Sequence, residues 1–178
     1  MNGWRRSRGL VTTVLSEREA DLLRGLVGQV REMLAARIAG TPRDELAELT
    51  GIIAGPTTAP DDRVLARLLP DFHREDATLS GGLRALHEPK LLALKEGVAG
   101  VVLDTCPARG GRVRLTDEQA QAWLSALNDV RLALGTVLDV TEDMPDELPP
   151  DDPRAPHLGV YHWLTWVQDS LIHAVSHT

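Results

Sequence analysis

Cysteine occurs once in this 178-residue chain, at Cys106, and lysine only at Lys90 and Lys95. A single cysteine excludes a disulfide within the chain and fits a reducing compartment. No apolar run reaches the length needed to span a bilayer. The opening MNGWRRSRGLVTT lacks the apolar segment and small-residue cleavage site of a secretory signal, so a cytoplasmic location is expected. Nothing matches HExxH or CxxC, and no phosphate loop or nucleophile set is present. The chain therefore reads as a non-enzyme, with no cofactor and no metal expected.

What is there is a soluble, acidic composition. Hydrophobic residues make up 43% and the net charge is −7. That length and that apolar content suit one domain over residues 1–178 with a sizeable core. Net acidity argues against wholesale binding of nucleic acid. The charge is uneven, with Arg5, Arg6 and Arg8 near the start and Arg109, Arg112 and Arg114 later. Acids crowd a Pro-rich stretch at about 141–158, expected as a loop.

Hydrophobic periodicity predicts a mainly α fold, a bundle of five to seven helices with a small two-stranded β ribbon. The strands are Leu10–Leu15 and Arg112–Leu115. Ser16 with Glu19, and Thr116 with Gln119, form capping boxes that open the helices that follow. Thr41-Pro42 predicts a short helix with proline at its first position. Asp61 or Asp62 caps a brief helix ending at Leu69. A helical pattern then runs from Glu75 to about Thr105, with Leu79, Leu83 and Leu86 on one face. Pro89 interrupts it, predicting a kink or two helices. A last helix covers about Gly159 to Ser176.

The segments VLSEREADLLRGLV (14–27) and RLTDEQAQAWLSAL (114–127) match at an offset of one hundred. Leu15 meets Leu115, Ser16 meets Thr116, and Arg31 meets Arg131. Two explanations stay open: convergence on a common cap, or two related units whose strands pair. Pairing would bring the two helices side by side and the two arginine clusters together.

The stretch WLSALNDVRLALG (123–135) carries Trp123, Leu127, Val130, Leu134 and Leu138 on one stripe. Arg131 falls at the edge of that stripe, and Arg31 at the matching place. Each is a candidate for a structural ion pair or a side chain reaching water over apolar surface. Asn128 and Asp129 read as solvated.

The last helix has a core face of Tyr161, Leu164, Val167, Leu171 and Val175. Its other side carries His162, Trp166, Asp169, His173 and His177. A tryptophan there suggests a partner surface, unless it packs under the acidic loop. Asp169, His173 and His177 have spacing suited to a metal, but no fourth ligand is evident and the set sits at a terminus. Cys106 is a redox candidate only if nearby cations such as Arg109 or Arg112 lower its pKa. The end of a helix works against that. Arg5, Arg6 and Arg8 around Trp4 read either as a grip on phosphate backbone or as a solvated basic tail.

ARLLPDFHRED (66–76), AWLSALNDVRLALGT (122–136) and VYHWLTWVQDSL (160–171), with Trp4 and VTTVLSEREADLL, carry a resemblance. In that order, over most of the chain, they resemble the actinobacterial domain-of-unknown-function family 2017, the AosR-like oxidative-stress regulators. The resemblance implies a cytoplasmic, non-enzymatic regulator that links oxidative stress to transcription through a protein partner of the transcription machinery. It assigns no residue a role. Genes of such proteins often lie near that of an N-end-rule protease adaptor, so a proteostasis adaptor is the alternative. A homodimer and direct DNA contact stay open. The chain departs from a sensor that switches by an internal disulfide, which needs two cysteines; redox sensing here would act between chains or by thiol capping. The favoured partner surface combines Trp166, His162, Asp169 and His173 with the ribbon arginines Arg109, Arg112 and Arg114.

Overall fold

The computed structural model describes residues 2–40 and 55–176. The short helix expected after Thr41 lies outside the described residues. The elements are β1 (Asn2–Ser7), β2 (Leu10–Leu15), α1 (Glu17–Ala39), α2 (Arg63–Leu68), α3 (Ala77–Thr105), β3 (Gly111–Leu115), α4 (Asp117–Val137) and α5 (Ala155–Ser176). The fold is mainly helical, with a small antiparallel sheet.

The sheet has three strands in the order β1-β2-β3, rather than two. The extra strand is the stretch read as a basic tail or phosphate grip. A two-residue turn, Arg8-Gly9, joins β1 to β2, and both residues have positive φ (53° and 78°). That geometry matches the twist of a tight hairpin. Trp4 anchors β1 in the core, 6% exposed, with its ring edge-on to Trp123 at 5.2 Å.

β2 and β3 pair antiparallel, from Val11 opposite Leu115 to Leu15 opposite Gly111. The central pair is Thr13 with Val113, the same positions that the hundred-residue offset aligns. Both capping boxes form: Ser16 and Thr116 each accept from the backbone three residues on, and Glu19 and Gln119 reach back. Each strand thus feeds a helix through the same cap, which satisfies backbone donors that a helix start leaves unpaired.

α3 packs against both α1 and α4, and α5 packs against α4 and β1. Trp123 on α4 is fully buried and donates from Nε1 to Thr105 Oγ1 at the end of α3, at 2.8 Å. Arg24 of α1 donates to the carbonyls of Leu103 and Cys106. That cation satisfies acceptors which the last turn of α3 leaves exposed.

α3 runs unbroken through Pro89. Proline has no N–H to give the carbonyl one turn back, so the Ala85 carbonyl lacks its helical donor. The Gly55 N–H fills that place at 2.7 Å. A Cβ on Gly55 would stand 2.8 Å from Pro89 Cδ, so only glycine lets the segment approach.

The first half of α3 does not bury the face that leucine spacing predicts. Leu79 and Leu86 are 46% and 63% exposed, while Arg84 and Glu88 are 1% and 0% exposed. Glu88 accepts from Arg84 at 2.6 Å and from Arg37 of α1 at 2.8 Å. Arg84 also donates to the Leu69 and Pro70 carbonyls and to Asp71, and Arg37 to the Thr58 carbonyl. One buried carboxylate therefore ties α3 to α1 and to the segments on either side of α2. A second pair, Lys95 with Asp129 at 2.6 Å, joins α3 to α4. Asp129 is thus buried rather than solvated; burial raises its pKa, and the Lys95 bond opposes that shift.

Two substitutions test these joints. Glu88→Ala strands two guanidinium groups and should lower stability by about 3–5 kcal/mol in a chemical denaturation experiment. Gly55→Ala forces its methyl into Pro89 and should cost about 1–3 kcal/mol by the same measurement. Unchanged midpoints would remove the roles given to Glu88 and Gly55.

Candidate functional site

Strand alternation sorts the sheet into two faces. Val11, Thr13, Leu15, Val113 and Leu115 point into the core. Arg112 and Arg114 of β3 and Arg5 of β1 are exposed on the other side. Register makes this a row: Arg5 stands opposite Thr12, and Thr12 opposite Arg114. The next row is Asn2, Val14 and Arg112. With strands about 4.8 Å apart, Arg5 and Arg114 lie about 10 Å apart across Thr12. None of the three arginines has an acidic partner among the described residues. The pairing of the two strands thus does bring parts of both arginine clusters onto one face.

The clusters are not brought together whole. Arg6 turns away, pairs with Asp117 at 2.7 Å and donates to the Ala174 carbonyl at 3.4 Å, stitching β1 to the start of α4 and the end of α5. Arg8 sits at the hairpin tip. Arg109 is exposed in the turn before β3.

On α5, His162, Trp166, Asp169 and His173 are all exposed on one helical stripe. Trp166 keeps 45% of its surface in solvent. Its ring edge neighbours Gly3 of β1: a Cβ there would be 3.9 Å from Trp166 Cζ2. The Trp4 N–H donates to Ser170 Oγ at 2.7 Å, which fixes α5 along the edge of β1. The α5 stripe and the arginine rows therefore meet at β1. His177 lies outside the described residues, and among those described no three His, Cys, Asp or Glu side chains gather for a metal. α5 begins at Ala155, so the acidic loop is shorter than its composition predicts.

Arg31 lies 3.4 Å from Glu96 on the surface. Of the two expectations for Arg131, the ion pair does not form among the described residues. Its Nε donates to Thr165 Oγ1 at 3.1 Å and its Nη1 to Gln168 Oε1 at 2.6 Å. Its guanidinium lies over the Tyr161 ring, 5.5 Å from the centroid. All of these partners belong to α5 and all are neutral.

Cys106 is 2% exposed and caps the C-terminus of α3. Burial pushes its thiol up from 9.0 to about 11, against a smaller opposite pull from Arg24. Neither Arg109 nor Arg112 figures among the causes of the shift. Sequence reasoning missed the Arg84–Glu88–Arg37 and Lys95–Asp129 bonds, because charged residues on a helix default to a wet face.

The raised pKa has a measurable consequence. At pH 8 the native thiolate fraction is about a hundredfold below that of an ordinary thiol, since two pKa units separate them. Iodoacetamide should therefore label native Cys106 at least about a hundredfold more slowly than the urea-unfolded chain. The same shift makes the folded state hold its proton longer than the unfolded chain. Its stabilising effect is complete below pH 9.0 and is lost as pH rises through about 11. Equal labelling rates in native and unfolded protein would refute the inert thiol.

The family model described as "Domain of unknown function (DUF2017)" matches residues 1–175. A protein of Mycobacterium bovis named "Oxidative stress regulator AosR" is 42% identical over 171 residues, covering 89% of this chain and 78% of that one. A Mycobacterium tuberculosis protein of the same name matches to the same extent. A Mycobacterium leprae relative is 39% identical over 179 residues, covering 93% of this chain and 82% of its own. No solved structure matches the chain. Matched along nearly its whole length, the chain belongs to the DUF2017 family.

Proposed function

We propose that this protein is a cytoplasmic, non-enzymatic regulator that couples oxidative stress to transcription by contacting a protein of the transcription machinery. The observation that carries the reading is 42% identity over 89% of the chain to proteins named oxidative stress regulators. The surface that fits a protein partner is the ground around β1. There an exposed tryptophan and exposed arginines stand together, residue types enriched in binding hot spots. Against a net charge of −7, this patch favours an acidic partner.

Cys106 has no second cysteine to pair with, and it is buried with a raised pKa. The reading therefore places the oxidant-sensitive step outside this chain, in the partner or upstream of it. The protein acts as the element that the partner binds or releases.

Trp166→Ala and Arg114→Ala test the surface in full-length protein expressed in its native host. Affinity capture with and without oxidant should recover an RNA-polymerase subunit or accessory factor with the wild type. Each variant should recover about tenfold less. Arg114 is exposed, so its variant should change stability by no more than about 0.5 kcal/mol; Trp166 is 45% exposed, so its variant should lose about 1–2 kcal/mol of burial and stay folded. Undiminished recovery with both variants would sink the surface assignment. Capture of protease components in place of polymerase factors would replace this reading with that of a proteostasis adaptor.

A further inference from the structure

Away from the sheet, α2, α4 and α5 enclose a cleft of about 320 Å³. Its lining includes Arg63 and Arg67 of α2, Arg131 of α4, Tyr161 of α5, and Asp139 and Thr141 just past α4. Three guanidinium groups thus face one carboxylate, a formal excess of two positive charges. Asp139 is already engaged by Arg63.

Arg131 is the unusual member. It is half-buried, and its bonds reach only neutral acceptors, Thr165 Oγ1 and Gln168 Oε1. A guanidinium drawn partly out of water is normally matched by an anion. Among the described residues none is supplied to it. The two bonds and the Tyr161 ring hold the group in one orientation, so little freedom remains to be lost when a ligand binds. Arg67 lies one turn beyond Arg63 and so projects from the same side of α2. It is exposed and makes no hydrogen bond or ion pair among the described residues.

The wall opposite is shaped for close approach. A Cβ on Gly135 would stand 3.3 Å from Tyr161 Cε2, tighter than ordinary packing. Glycine at that position lets the ring settle against α4 beside Arg131. The cleft is at the small end of the range for small-molecule sites. Planar guanidinium forks match phosphoryl and sulfuryl oxygens in geometry and charge. A phosphate monoester carries about −1.5 to −2 at neutral pH, close to the excess in the lining. Glu142 and Asp143 follow the lining residue Thr141 and are exposed, so they oppose an anion that the cleft's cations attract.

We propose that this cleft is a binding site for a small molecule bearing a dianionic phosphate group, which free phosphate or sulfate can mimic, gripped by Arg131 and Arg67 beside Tyr161. The site is independent of the protein-partner surface around β1. It gives the fold a place where a metabolite can bridge α2, α4 and α5.

Calorimetric titration of the full-length chain tests the proposal, with inorganic phosphate, sulfate, O-phosphoserine and succinate as probes at constant ionic strength. Saturable binding of phosphate, sulfate or phosphoserine is expected. Arg67→Gln and Arg131→Gln should each weaken it about tenfold or more, which corresponds to about 1.4 kcal/mol. Arg131 also holds α5, so its variant is read only where its melting temperature is kept. Arg67 makes no bond among the described residues and provides the clean comparison. Tighter binding of phosphoserine than of phosphate identifies an ester ligand; the reverse identifies the free ion. No saturation by any phosphate or sulfate probe up to about 20 mM, well beyond millimolar affinity, overturns the site. So does binding that Arg67→Gln leaves unchanged, or binding of succinate alone.

Discussion

The antiparallel ladder between β2 and β3 is the constraint from which the rest follows. Antiparallel pairing has a local two-fold, and here it passes through Thr13 and Val113. Each strand runs directly into a capped helix, so α1 and α4 leave the ladder at opposite ends but under the same rule. α3 lies against both helices and returns the chain to the ladder. The end of α3 is secured from each side, by Arg24 of α1 on its carbonyls and by Trp123 of α4 on Thr105. Buried backbone and indole groups are thereby satisfied where three elements converge, and a miss there would be costly.

The two capped units do not share a fate. α5 packs against α4, the helix of the second unit, and that asymmetry separates Arg31 from Arg131. Arg31 stays at the surface beside Glu96, where a single ion pair contributes little. Arg131 is roofed by α5 and held by neutral groups, with no acidic partner among the described residues. The same covering helix presents Trp166 beside β1 and Tyr161 beside the cleft. A binding surface and a candidate anion site therefore both arise from where one helix was added to a near-repeat.

Charge is distributed against the average. The chain is acidic overall, yet the exposed side of its sheet is basic and its deepest ionic bonds run through Glu88. A carboxylate buried between two arginines contributes less to net stability than its short bonds suggest, because desolvation offsets much of the attraction. Its effect is on geometry: helix, neighbouring helix and flanking segments are locked to one another at Glu88. That lock also sits one residue before Pro89, where Gly55 replaces the lost helical donor.

Local rules made much of this legible. Ser16-Glu19 and Thr116-Gln119 announce helix starts because cap chemistry depends on only four consecutive residues. The Trp123–Leu138 stripe announces a buried face because helical period is a property of the chain itself. The offset of one hundred even contained the ladder's register. What remained hidden depends on neighbours. β1 looked like a tail, since Arg-Gly is a weaker turn signal than Asn-Gly and its arginines outweigh its one buried tryptophan. Asp129 looked solvated, and Arg84 and Glu88 carried no signal at all, since a charge turns inward only when a partner from another element awaits it. Arg131 carries no mark of its neutral cradle. Sequence alone determined where helices begin and which stripes are apolar, because both follow from short-range geometry. Which charges are buried, exposed or left unmatched was decided by tertiary packing, because desolvation and pairing exist only once distant elements meet.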